Sequence, residues 1–217
     1  LPKSRFLLID TGLNQYSART LINHLYHARP EQLDIIVTHA DQDHAGGLPF
    51  IISHYPQARI HHGGWIQSTQ LSTSSIRRGM TLNLGSDVRV RILNPILFGS
   101  ENKDAVVIRL EYGNTAVLFT GDIDSSTEKR LINEFDTFLP ADILKAAHHG
   151  SNTSSSLSFS RRVAAKWVIF STGINNRFGH PDPLVIDRFR RLGTIMHNTA
   201  QDQAAVFQLD GESVIHK

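Results

Sequence analysis

The segment VTHADQDHAGG, residues 37–47, places His39, Asp41, Asp43 and His44 within six positions at the end of an apolar run. Imidazole nitrogens and carboxylate oxygens are the donors that Zn²⁺, Mn²⁺ and Mg²⁺ take. Side chains at a strand end are held by a rigid scaffold yet remain open to solvent. In an extended turn His39 and Asp41, two positions apart, point the same way, while the adjacent Asp43 and His44 face a second point nearby. One short loop can therefore seed two metal positions. The plainer alternative is a solvated turn whose aspartates cap a helix.

Other residues of this kind also follow apolar runs. LLIDTG ends at Asp10, VLFTGDID at Asp122, ILKAAHHGSNTSS at His148 and His149, and VIFSTGINNRFGHP reaches His180. In α/β folds such strand ends converge on one rim. A bridging carboxylate from Asp122, with imidazoles from the later loops, would complete two sites of nitrogen and oxygen ligands. For His148 and His149 three roles stay open: metal ligand, phosphate donor, or acid to a leaving oxygen. Lys145 is a candidate phosphate contact, as are the amides of Gly150-Ser151 and the hydroxyls of Ser151, Thr153 and Ser154. The alternative for the Ser-rich stretch is a flexible loop. His24, His27, His61 and His62 read as structural or surface residues.

The elements that must carry these residues follow from periodicity. Residues 5–10, 33–38 and 58–62 read as strands. Between them lie a helix bearing Leu21, Ile22, Leu25 and Tyr26, with Ser17 as a cap, and a helix over 46–55 with Pro49 in its first turn. Residues 63–79 read as a long surface loop. MTLNL, VRVRIL, AVVIRLEYG and TAVLFT form a meander. A helix over 125–135 starting at Ser125 or Ser126, a strand over 142–147, a loop over 151–158, a strand over 166–172, a helix over 182–192 and a closing strand over 204–209 complete the chain. Strand–helix units flank the meander without a linker, which predicts one α/β domain over residues 1–217.

Composition excludes some classes. The 217 residues are 40% hydrophobic and 19% charged, as in ordinary globular proteins. No apolar run reaches the roughly 18 residues of a membrane span, and no secretory signal opens the chain. Without cysteine there is no disulfide and no thiolate metal site. A net charge of +2 does not by itself argue for nucleic acid. The 12 histidines hint at metal chemistry. The abrupt entry into a strand pattern suggests a piece of a longer protein.

Taken in order, Asp10-Thr-Gly, His39-x-Asp41-x-Asp43-His44, Thr-Gly-Asp122 and His180 resemble the motifs of the metallo-β-lactamase superfamily, over nearly the whole chain. Within it, LLIDTG, VTHADQDHAGGL, VLFTGDID, LKAAHHGSNTSS and FGHPDP are similar to the C-terminal domain of the ComEC family of bacterial DNA-uptake proteins. The resemblance implies an αββα sandwich of two mixed β-sheets with outer helices. It also implies a first hairpin, with a Gly-Asp turn, upstream of Leu1. It places His39, Asp41 and Asp122 on one ion, with Asn102 as a further candidate, and Asp43, His44, Asp122 and His180 on a second. Asp10 would orient a ligand from behind. The superfamily's usual histidine is replaced by Asp41, and its usual histidine before the Gly-Asp step falls near Asn102. Both changes harden the first site and move preference from Zn²⁺ towards Mn²⁺ or Mg²⁺. One or two ions, Mn²⁺ or Zn²⁺, are expected, and no small-molecule cofactor.

The expected activity is a metal-dependent phosphodiesterase on DNA, degrading the strand that is not imported during natural transformation. Asp43 would be ligand and proton acceptor, with His148, His149 and Lys145 in catalytic roles. The expected partners are DNA and a transmembrane channel portion of the same protein. The setting would be the inner membrane, with this domain on the periplasmic or extracellular side. A non-catalytic DNA-guiding module is the alternative reading, and hydrolysis of a small ester, amide or lactam is a third.

Overall fold

The structure is a computed structural model, which describes residues 5–66, 71–85, 87–96 and 101–217. These residues divide into two compact units, Leu1–Met80 with Asn94–Val106, and Thr81–Leu93 with Val107–Lys217.

The first unit is built on four parallel strands in the order β1 (Arg5–Ile9), β2 (Gln32–Val37), β3 (Arg59–His62) and β4 (Thr73–Ser75). Parallel strands are commonly covered on both faces and read as continuous apolar runs. β2 fits this, since Leu33, Ile35, Ile36 and Val37 are all buried. The helices of this unit are α1 (Gln15–Ala28), the single turn α2 (Gln42–Ala45) and α3 (Leu48–His54). Ala18 and Leu25 of α1 and Leu48 and Ile51 of α3 join Leu33, Ile35, Val37 and Ile60 in one core.

Asn14, rather than Ser17, caps α1, and its side chain accepts from the amides of Tyr16 and Ser17. Pro49 lies in the first turn of α3, where its missing N–H costs nothing. The stretch 63–79 departs from the loop reading. Residues 73–75 form β4, and Ile76 is fully buried, whereas 67–70 lie outside the described residues. β4 carries Thr, Ser and Ser, so its pairing with β3 and not its own hydrophobicity makes it a strand.

The second unit holds a seven-stranded sheet. Its strands are β5 (Thr81–Asn83), β6 (Val88–Asn94), β7 (Val107–Tyr112), β8 (Thr115–Phe119), β9 (Ile143–Lys145), β10 (Trp167–Phe170) and β11 (Ile195–Asn198), with the last residue of β6 belonging to the first unit. The pairs β5–β6 and β7–β8 are antiparallel, as a meander requires, and β8 to β11 pair parallel. A separate hairpin, β12 (Phe207–Leu209) with β13 (Val214–His216), follows.

The helices of this unit are α4 (Ser125–Phe135), α5 (Leu157–Val163), α6 (Pro183–Arg191) and α7 (Thr199–Asp202). The cap of α4 is Asp124, one residue before the expected serines, and its Oδ1 accepts from the Thr127 amide at 2.9 Å. Periodicity does not foretell α5, α7, β11 or β13, and the strand over 204–209 is not the last. Ser156 starts α5 inside the stretch read as a loop, with its hydroxyl accepting from the Phe159 amide.

Candidate functional site

In the first unit the predicted residues gather around the ends of β1 and β2. Asp10 follows β1 with φ 61°, the left-handed region that few residues besides glycine enter without cost. Its backbone amide bonds to the Ile36 carbonyl at 2.9 Å, which ties the turn to β2. The turn also lies tightly against the segment joining α2 to α3. A Cβ on Gly46 would meet the Leu13 carbonyl oxygen at 2.1 Å, and one on Gly47 would meet that of Thr11 at 2.2 Å. Only glycine fits there, so the pair in HAGG is fixed by backbone approach.

The Asp10 carboxylate is a hub. Oδ1 accepts from the Thr38 amide at 2.8 Å, and Oδ2 accepts from the Thr38 hydroxyl at 3.0 Å. His44 Nδ1 lies 2.7 Å from the same Oδ2, and His39 Nδ1 lies 3.0 Å from Thr38 Oγ1. A carboxylate only accepts hydrogen bonds, so His44 carries its proton on Nδ1. The Thr38 hydroxyl donates to Asp10, so its oxygen accepts from His39, whose proton is also on Nδ1. In the neutral rings both Nε2 atoms then carry the lone pairs. They point to the exposed carboxylates of the motif: His39 Nε2 is 3.6 Å from Asp41, and His44 Nε2 is 3.7 Å from Asp43. The two rings lie 4.1 Å apart by centroid, and both are buried. Holding Nδ1 from behind is how proteins prepare an imidazole for a metal. Asp10 therefore orients two histidines, one directly and one through Thr38. No hydrogen bond ties Asn102 to this group among the described residues. That residue opens a 3₁₀ turn over Asn102–Asp104.

In the second unit the predicted residues surround Asp122, which is almost fully buried just past β8. Lys145 Nζ lies 3.3 Å from Asp122 Oδ1 and donates to the Gly121 carbonyl at 3.1 Å. Its ammonium thus holds the carboxylate. His149 Nε2 is 3.5 Å from Asp122 Oδ2, and His148 Nε2 is 3.9 Å from it. His149 Nδ1 donates to the Ser171 carbonyl at 2.6 Å. In the neutral ring its Nε2 then carries the lone pair facing Asp122, so of the two histidines this one is prepared as a ligand. His148 and His149 take left-handed φ values of 48° and 54°. Each costs about 1–2 kcal/mol for a residue with a Cβ, and such strain collects at functional sites. Gly150 continues the turn at φ 87°, where a Cβ would meet Pro181 and Phe170 at under 3 Å. The His180 ring lies 5.8 Å from that of His148. Burial, and then the neighbouring His148 and His149, hold the His180 imidazole below the usual histidine range. That favours the neutral, ligating form.

The Ser-rich stretch is clamped. Glu128 of α4 is fully buried and accepts from the amides of Ser155 at 2.5 Å and Ser156 at 2.9 Å. Arg188 of α6 donates to the carbonyls of Ser154 and Ser155 and to the Asn152 side chain. Burial pushes the Glu128 carboxyl up, against the pull of the two amides and of Arg188. Ser151 and Ser154 are buried, and Ser154 donates its hydroxyl inward to backbone carbonyls. Of the three hydroxyls expected to hold phosphate, only that of Thr153 belongs to an exposed residue.

Sequence reasoning missed Thr38, Glu128 and Arg188. Thr38 had one legible signal, its place between an apolar strand and the first histidine. The other two act across 27 to 36 positions, beyond any local pattern.

The profile of the Metallo-beta-lactamase superfamily matches residues 2–171, and the chain belongs to that superfamily. This bears out the α/β class, with two principal sheets and helices. The chain is also 30% identical over 214 residues to competence protein ComA of Neisseria gonorrhoeae, covering 95% of this chain and 30% of that one. It is 30% identical over 177 residues to ComE operon protein 3 of Bacillus subtilis, covering 74% and 23%. These relatives bear out the resemblance to the ComEC family, and the chain spans under a third of their length. Among solved structures, zinc-bound PqqB of Methylobacterium extorquens superposes with TM-score 0.53 at 12% identity, over 91% of this chain and 82% of that one. CmlA, a diiron β-hydroxylase of Streptomyces venezuelae, gives 0.54 at 14%, over 79% and 45%. These likenesses concern the fold alone. Among the described residues no helix is long and apolar enough to cross a membrane.

Proposed function

We propose that this chain is a metal-dependent DNA phosphodiesterase of a DNA-uptake protein, acting on the strand that is not imported. The observation that carries the reading is the Asp10–Thr38 hub, which holds Nε2 of both His39 and His44 towards two exposed carboxylates. In this reading residues 1–217 act as one domain. His39, Asp41 and Asp122 take one ion, and Asp43, His44, Asp122 and His180 a second, with His149 as an added ligand. The nitrogen and oxygen donors suit Zn²⁺ or Mn²⁺, and the carboxylate at position 41 favours the harder ion. A divalent ion held there supplies Lewis acidity to a phosphate oxygen and lowers the pKa of bound water.

The chain's own groups do the rest. Asp43, half exposed, accepts a proton from the attacking water. His148 is the more exposed of the paired histidines and delivers a proton to the leaving oxygen. Thr153 offers its hydroxyl to a phosphate. The relatives' names, competence protein and ComE operon protein, support the setting in DNA uptake. The partners are DNA and a membrane channel portion of the same protein, and the location is the outer side of the inner membrane.

Purified protein should cut single- or double-stranded DNA with Mn²⁺ or Zn²⁺, without sequence preference. A chelator and Asp43→Ala should each abolish cutting. A folded, metal-loaded protein that never cuts DNA would sink this reading. One observation favours the second reading, a DNA-guiding module without catalysis: Lys145 already places a positive charge on Asp122. DNA binding unchanged by chelator and by Asp43→Ala would select it.

A further inference from the structure

The loop between β10 and α6 carries an aromatic side chain in a setting that no metal role explains. Phe178 is 70% exposed and Ile174 is 83% exposed. Two large apolar side chains exposed on one short loop mark that loop as a candidate contact surface. The loop is not slack. The Asn176 side chain donates to the His180 carbonyl at 2.8 Å and accepts from the His180 amide at 2.8 Å, closing a small ring around positions 177–179. The Asn176 amide bonds back to the Gly173 carbonyl, and Gly179 turns the chain at φ 69°. Phe178 is thus presented on a braced turn. Its ring lies nearly parallel to that of His180, at 18° and 6.0 Å between centroids. The Arg177 guanidinium sits over it at 5.1 Å from the centroid.

We propose that Phe178 is a stacking platform for an unpaired nucleobase beside His180, with Arg177 taking an adjacent phosphate, and that it makes the protein prefer single-stranded DNA. This rests on the reading of the chain as a protein that acts on DNA. An aromatic face and a guanidinium match the two parts of a nucleotide, the base and its phosphate. An exposed contact between arginine and an aromatic ring is weaker than base stacking, so an incoming base displaces Arg177 from the ring. A duplex offers no free base face, and extruding a base costs more than the stack returns. Single strands need no extrusion. Stacking accepts every base, which agrees with cutting that ignores sequence.

The test measures binding under chelator, where nothing is cut. The probe is a fluorescein-labelled 12-mer, single-stranded or in a duplex, followed by anisotropy. Phe178→Ala should weaken single-strand binding about 5- to 150-fold and leave duplex binding nearly unchanged. Phe178→Trp should restore binding, and its fluorescence should be quenched as the strand binds. Equal single-strand affinity in Phe178→Ala and wild type, or no quenching in Phe178→Trp, would overturn the proposal whether or not the wild type is a nuclease. Conversely, a wild type that never cuts but binds through Phe178 would leave the platform standing and remove the nuclease reading. Loss of binding to phosphatidylglycerol vesicles in Phe178→Ala, with DNA binding intact, would assign the loop to lipid and overturn the platform.

Discussion

Replacing Asp10 by Asn changes one atom of the hub and should invert both imidazoles. The Asn carbonyl oxygen can keep the bond from the Thr38 amide, now 2.8 Å. Its NH₂ then takes the place of Oδ2, which today accepts from the Thr38 hydroxyl and from His44 Nδ1. An NH₂ donates, so His44 must present a lone pair at Nδ1 and carry its proton on Nε2. Thr38 Oγ1 now receives a hydrogen and donates its own to His39 Nδ1, which inverts that ring as well. Both Nε2 atoms lose the lone pair a metal needs.

The number of hydrogen bonds is conserved, so stability should move by no more than about 1 kcal/mol. Loss of such an orienting partner costs about 10- to 100-fold in metal affinity, or about 1.4–2.7 kcal/mol. Asp10→Ala should behave differently. Three donors lose their acceptor, at about 1 kcal/mol each, and water replaces part of this because the side chain is 18% exposed. Long-range ¹H–¹⁵N spectra of the metal-free protein report the tautomers directly, and competition with a chromophoric chelator gives Mn²⁺ and Zn²⁺ affinities. An Asp10→Asn variant that binds either ion as tightly as wild type, or a wild type with its protons on Nε2, would show that Asp10 does not set the tautomers.

Glu128→Gln should leave one of the Ser155 and Ser156 amides facing an NH₂, at a cost of about 1–3 kcal/mol in urea unfolding. The Glu128 carboxyl is raised in the folded state, so that state binds the proton more readily. Its contribution is present at low pH and is lost as pH rises from the ordinary value of 4.5 through the folded pKa, a slope the Gln variant should lack. His62 is buried, and its Nδ1 accepts from the amides of Gly64 and Ile66 at 3.0 and 3.2 Å. Burial, then the neighbouring His61, hold its pKa below 6.5. The unfolded state therefore takes up the proton first, and stability falls as pH drops below about 6.5. His62→Asn keeps an acceptor near the Nδ1 position, and it should flatten the decline in unfolding free energy between pH 7 and 5.

Some of this was legible in the chain. Runs such as LDIIVT and KWVIFST are too apolar to be anything but covered strands, and β2 and β10 coincide with them to within a residue or two. The Ser-rich stretch misled, because small hydroxyl residues look alike in a loop and in a packed turn. Here Glu128 and Arg188, distant in sequence, hold the backbone in place. β4 was hidden for the same reason: Thr-Ser-Ser has no strand pattern of its own and is ordered by hydrogen bonds to β3.

Which donors exist, and that each follows a strand, can be read from the chain alone, because residue types and apolar periodicity are local properties. So can the absence of thiolate ligands. Which nitrogen of each histidine is left to ligate came only from the folded arrangement. A histidine's ligating nitrogen is set by what holds the other one. For His44 that is a carboxylate 34 positions away, for His39 the hydroxyl of Thr38 turned by the same carboxylate, and for His149 a carbonyl 22 positions away.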